Sequence, residues 1–90
     1  MLSKAKIKLI QSLELKKKRR EGRLFVAEGP KVVGDLLPYF TCRLIVASNS
    51  WLEQHPLIKA DEVIEATTDE LRKASFLKAP QDVLALFELP

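Results

Sequence analysis

Four short apolar runs divide this ninety-residue chain at intervals that leave room for little except short helices between them: Leu24-Phe25-Val26-Ala27, Leu44-Ile45-Val46-Ala47, Glu62-Val63-Ile64-Glu65-Ala66 and Val83-Leu84-Ala85-Leu86-Phe87. Each is bounded by charge or turn residues and has the length of a strand rather than a helix. The intervening segments carry helix signals. Glu28-Gly29-Pro30 turns the chain, with Pro30 at a first helical position, where its missing N–H costs nothing. Val33, Leu36 and Leu37 then give an apolar helix face, and Pro38 ends it. Ser48-Asn49-Ser50 caps a short helix over Trp51–His55. Thr67 and Glu70 have capping-box spacing and open a helix through Leu71 to Ala74.

Upstream of the first run, Leu2, Ala5, Leu9 and Leu13 recur at helical spacing with Ile10 beside them, while Lys4, Lys8 and Gln11 fall opposite. This predicts an amphipathic helix over residues 2–14. Lys16–Gly22 has no apolar residue and reads as a solvated helix extension or a loop. After the first helix the order is β-α-β-α-β-α-β, which implies a layered α/β domain whose sheet is at least partly parallel.

Ninety residues suffice for one domain that buries roughly 60–65% of its unfolded surface, without a deep cofactor cleft. The single cysteine, Cys42, cannot form an internal disulfide, which favours a reducing compartment. No apolar run reaches the roughly 18–20 residues of a membrane span. Lysines at 4, 6 and 8 interrupt any secretory apolar segment, so the expected location is cytoplasmic.

No catalytic constellation is visible. His55 is the only histidine, no Ser or Cys completes a triad pattern around it, and one cysteine cannot build a zinc cluster. Cys42 reads as a small apolar packing residue and His55 as a surface or capping residue. Asp61, Glu62 and Glu65 read as a solvated acidic rim, because Glu62 and Glu65 would face opposite sides of a strand. Gly22, Gly29 and Gly34 form no phosphate-cradling motif.

Charge is the strongest functional signal. Nine of the fifteen Lys and Arg residues lie in positions 1–23, giving that segment +7, and the rest of the chain carries −4. Lys16, Lys17, Lys18, Arg19, Arg20 and Arg23 fall within eight positions, with only Glu14 and Glu21 near them. Such a cluster repels itself unless an anion answers it, and it suits phosphate contacts accompanied by counterion release. A solvated flexible arm is the bland alternative. Anionic lipid is a weaker one, because the apolar face of helix 2–14 has no Trp or Phe. Aromatic interleaving is sparse, which fits backbone or shape recognition better than base reading.

The string KKKRREGRLFVAEGPKVVGDLL resembles the opening of SpoU-type (TrmH-like) RNA 2′-O-ribose methyltransferases, with a basic helix, a K-x-R cluster, a strand and a Glu-Gly turn into a helix. LIVAS, TTDELRKAS and LKAPQDVLALFELP fit the later segments, with Asp82 where Gly is common, so the resemblance covers essentially the whole chain. It implies a three-layer α/β/α sandwich on a four-stranded mixed sheet, similar to kink-turn-binding ribosomal proteins. Residues 1–90 would form one RNA substrate-binding domain, with 1–22 its basic N-terminal helix and arm. The K-x-R cluster matches Lys17 and Arg19, and the turn matches Glu28 and Gly29. In the family, S-adenosylmethionine and the catalytic arginine belong to a following knotted domain. The resemblance therefore implies that the catalytic domain is absent here, and that the chain binds ribosomal or transfer RNA without methylating it. The parent enzyme would be a possible homodimer. Gly29 would supply a tight turn, and Glu28 a carboxylate favoured by the helix dipole. The alternatives are a stand-alone kink-turn-type RNA-binding protein and a dimerisation or scaffold module.

Overall fold

Ser3 starts the first helix later than the apolar spacing implies. Its hydroxyl accepts the Lys6 N–H and caps α1, which runs Lys4–Ser12 in the computed structural model describing residues 1–90. The buried seam is Ile7-Ile10-Leu13 with Leu2 ahead of it, and Ala5 and Leu9 of the expected face point outward. The helix is thus shorter than residues 2–14, and its apolar stripe is rotated. The chain breaks at Leu15 and resumes as α2, Lys16–Gly22, so the basic run is helical.

β1 (Leu24–Glu28), α3 (Pro30–Leu36), β2 (Cys42–Ala47), α4 (Asn49–Gln54), β3 (Glu62–Glu65), α5 (Thr68–Ala74) and β4 (Val83–Glu88) follow. α3 ends at Leu36; Leu37 still has helical angles (φ −52°, ψ −40°) and bonds the Val33 carbonyl, and Pro38 has no N–H to carry the ladder further. α4 begins two residues earlier than the sequence implies, because Ser48 itself accepts the Trp51 N–H. Thr67 and Glu70 form both bonds of the capping box.

The sheet is mixed, in the order β1-β4-β2-β3, with only β2 and β3 parallel. β4 sits inside because Val83–Phe87 is apolar on both faces, each residue at most 1% exposed. Leu84 and Leu86 meet Leu44, Val46 and the α1 and α5 layer; Val83, Ala85 and Phe87 meet Ile45, Ala47 and the α3 and α4 layer. The three-layer α/β/α sandwich is therefore set by period-two alternation in two central strands.

A register shift between Cys42 and Leu44 places Cys42 and Ile45 on one face and turns Arg43 outward. Arg43 ties Asp61 (2.7 Å) and Glu88 (3.1 Å) together across the sheet end. Phe87 packs against Phe25 and Phe40, with centroids 5.7 and 6.4 Å away. Burying a side chain of this kind contributes roughly 1.5–3 kcal/mol. Asp82 keeps negative φ and its carbonyl accepts the Ser48 N–H at 2.9 Å, so this turn does not require glycine.

Candidate nucleic-acid interface

Sheet order separates the charges. β1, with α2 packed against it, forms one edge, and β3 with Asp61, Glu62 and Glu65 forms the other. The acidic rim is exposed and answered internally: Lys6 pairs with Glu62 at 2.6 Å, Arg43 with Asp61, and Asn49 donates to Glu65. The basic edge is mostly unanswered. Lys18 reaches Glu21 at 3.5 Å, whereas Lys16, Lys17, Arg20 and Arg23 have no ion-pair partner in the chain, and all five cations are exposed.

Helix electrostatics sharpen the contrast. The α2 dipole favours Arg19 and Arg20 in the last turn but disfavours Lys16, Lys17 and Lys18 in the first, where no acid sits. Arg23 ends the helix in left-handed geometry (φ 55°), which is unfavourable for a residue with a Cβ. Its carbonyl accepts the Leu89 N–H at 2.8 Å, anchoring the turn to the end of β4.

Arg19 differs from its neighbours. It is half-buried, and its Nη1 donates to the carbonyls of Leu13 (2.8 Å) and Glu14 (2.7 Å), clamping α2 onto the end of α1. Within the K-x-R pair, Lys17 is thus free and Arg19 is structurally engaged.

The Glu-Gly turn is a connector. Gly29 has φ +99° with ψ 149°, a backbone region nearly restricted to glycine, and its N–H bonds the Val83 carbonyl at 2.9 Å. The Glu28 carboxylate does not serve the α3 dipole. It accepts the Ser75 hydroxyl and the Phe76 N–H (2.9 Å), holding the segment after α5 against β1. Sequence reasoning missed this role because the partners lie 47 and 48 positions away.

The remaining candidates are structural. His55 stacks on Trp51 at 4.0 Å with its Nδ1 at the Trp51 carbonyl. Cys42 is buried, and desolvation pushes its thiol up to about 11, far from a reactive thiolate. Glu70 is held below the usual carboxylate range, first by the Thr67 N–H and then by the Leu2 N–H. No helix is long and apolar enough to cross a membrane.

The fold is that of the substrate-binding domain of SpoU/TrmH-type RNA methyltransferases. A Porphyromonas gingivalis protein described as an RNA methyltransferase of the TrmH family superposes with TM-score 0.91 at 35% identity, over all of this chain and 36% of its own. An rRNA methyltransferase from Sinorhizobium meliloti gives 0.79 at 28% identity, over all of this chain and 36% of its own. The SpoU methyltransferase AviRb from Streptomyces viridochromogenes shares the fold, with TM-score 0.82 at 20% identity over 98% of this chain and 36% of its own. The chain thus spans 36% of the length of each of these solved structures. No curated protein matches it. The family model of the MRM3-like substrate binding domain matches residues 4–85, and the chain belongs to that family.

Proposed function

We propose that this chain is the RNA-recognition domain of a 2′-O-ribose methyltransferase acting on structured RNA. Lys16, Lys17, Lys18, Arg20 and Arg23 would hold phosphates, with Arg19 fixing the helix that presents them. The observation that carries this is the set of exposed cations on α2 and its end beside β1, four of them without an ion-pair partner, while the acidic rim at the opposite edge is answered by Lys6, Arg43 and Asn49. Ribosomal RNA is favoured over transfer RNA by the rRNA methyltransferase among its structural relatives. The substrate meets the protein in the cytoplasm, and the parent enzyme works as a homodimer.

On this reading S-adenosylmethionine and methyl transfer belong to the parent enzyme's catalytic domain, and this chain presents the RNA to it. The test is titration of the chain with a folded ribosomal RNA fragment and with a DNA duplex of matched length. Preference for the RNA is expected. Equal binding to both would reduce the surface to a nonspecific polycation.

A further inference from the structure

A groove of about 420 Å³ lies where the α1–α2 junction, β1 and the segment after α5 meet, lined by Leu13, Glu14, Arg19, Phe25, Val26 and Phe76. That volume falls in the roughly 300–1,000 Å³ range of small-ligand sites. We propose that it receives one unstacked RNA base while the α2 cations hold the flanking phosphates. The inference rests on the RNA-binding reading above and adds base stacking to it.

The first support is Phe76, whose side chain remains 39% exposed although its backbone is fixed. Glu28 holds Ser75 and the Phe76 N–H, and the Ser75 hydroxyl in turn accepts the Leu77 N–H at 2.9 Å. An exposed aromatic ring on an immobilised backbone is a preorganised stacking surface, because little ordering remains to be done on binding. Glu28 is accordingly a positioning residue for the ring.

The second support is Arg19. Its Nη1 is committed to two carbonyls, and its other guanidinium N–H groups have no partner in the chain. A pinned guanidinium is suited to stacking on, or donating to, a base. The third is charge placement. Lys16, Lys17 and Arg20 belong to the helix that Arg19 clamps beside the groove, whereas Glu14 lines the groove itself. Arg19 and Glu14 leave the groove itself without net charge, and the cations that would draw phosphates stand on its rim.

The test uses a hairpin RNA with one bulged 2-aminopurine and its fully paired counterpart, titrated against the ninety-residue chain. The groove predicts quenching of the bulged fluorophore and a preference of roughly tenfold for the bulged RNA. Phe76→Leu keeps an apolar side chain but should abolish both effects while the salt dependence of binding stays unchanged. Lys16→Ala with Lys17→Ala should flatten the salt dependence and retain the quench. Equal affinity for both RNAs without quenching, or an unchanged preference in Phe76→Leu, would overturn the groove and leave the phosphate surface standing. Failure to bind either RNA would overturn both readings.

Discussion

Arg19 and Lys17, two residues apart in the basic run, should respond differently to the same truncation. Arg19 donates one partly shielded hydrogen bond to Leu13 and one exposed bond to Glu14, both carbonyls at the end of α1. Hydrogen bonds from a charged donor contribute about 1.5–3 kcal/mol when shielded, and less when exposed. Arg19→Ala should therefore lose about 2 kcal/mol, mainly by leaving the α1 end unsatisfied. A domain of this size loses about 4–8 °C of Tm per kcal/mol, so thermal unfolding followed by circular dichroism should drop by about 8–16 °C. Lys17 is exposed and has no ion-pair partner, so Lys17→Ala should stay within about 0.5 kcal/mol of the parent. Arg19→Lys should fall between, because an ammonium can still donate two hydrogen bonds but lacks the rigid guanidinium plane that fixes Nη1 between the two carbonyls. Equal melting temperatures for Arg19→Ala and Lys17→Ala would refute the clamp. They would also return Arg19 to the freely exposed cations.

Other positions give separate checks. Gly29→Ala should cost about 1–3 kcal/mol in urea unfolding. The new Cβ would meet Gln81 only at an ordinary 3.5 Å, so the penalty is in the backbone, and a neutral result would contradict the φ of +99°. Arg23→Gly should raise stability by about 0.5–1 kcal/mol by removing a left-handed side chain, and should weaken RNA binding; lower stability would contradict it. Glu70 has its folded pKa depressed, so its contribution is present above the ordinary carboxylate pKa and is lost as pH falls through the folded value. The gap between the parent and Glu70→Gln in urea midpoint should narrow as pH falls below the ordinary carboxylate pKa, and a gap that widens as acid is added would sink the assignment.

The sequence exposed what local chemistry controls. Four apolar runs, the Thr67–Glu70 capping box and Pro30 at a helix start all appear where spacing places them. Val83–Phe87 showed its central position in its own composition, because a strand apolar at every residue must be covered on both faces. The pairing order was less legible, since β4 inserts between β1 and β2 through contacts distant in sequence. The α1 face was misjudged because Ile7 completes a seam with Ile10 and Leu13 at three-residue spacing, and that seam, rather than Ala5 and Leu9, meets the core.

At the candidate site, the density of cations was plain in Lys16–Arg20, but their division of labour was not. Arg19 becomes a clamp only when the chain breaks at Leu15 and aims the α1 carbonyls at it. Glu28 reads as a turn residue until the fold brings Ser75 and Phe76 to it. The available hint was the apolar pair Phe76-Leu77 in a polar segment after a helix, where no strand or helix pattern needs it.

The most direct test of the account is the salt dependence of RNA binding by the intact chain and by a Lys16→Ala/Lys17→Ala/Arg20→Ala variant. These three cations carry no internal bond, so the variant should fold with parental Tm. Its logarithmic salt slope should become shallower by about 0.7–0.9 for each lost phosphate contact, with affinity falling throughout. An unchanged slope and affinity in a folded variant would contradict the claim that this edge of the sheet holds the RNA.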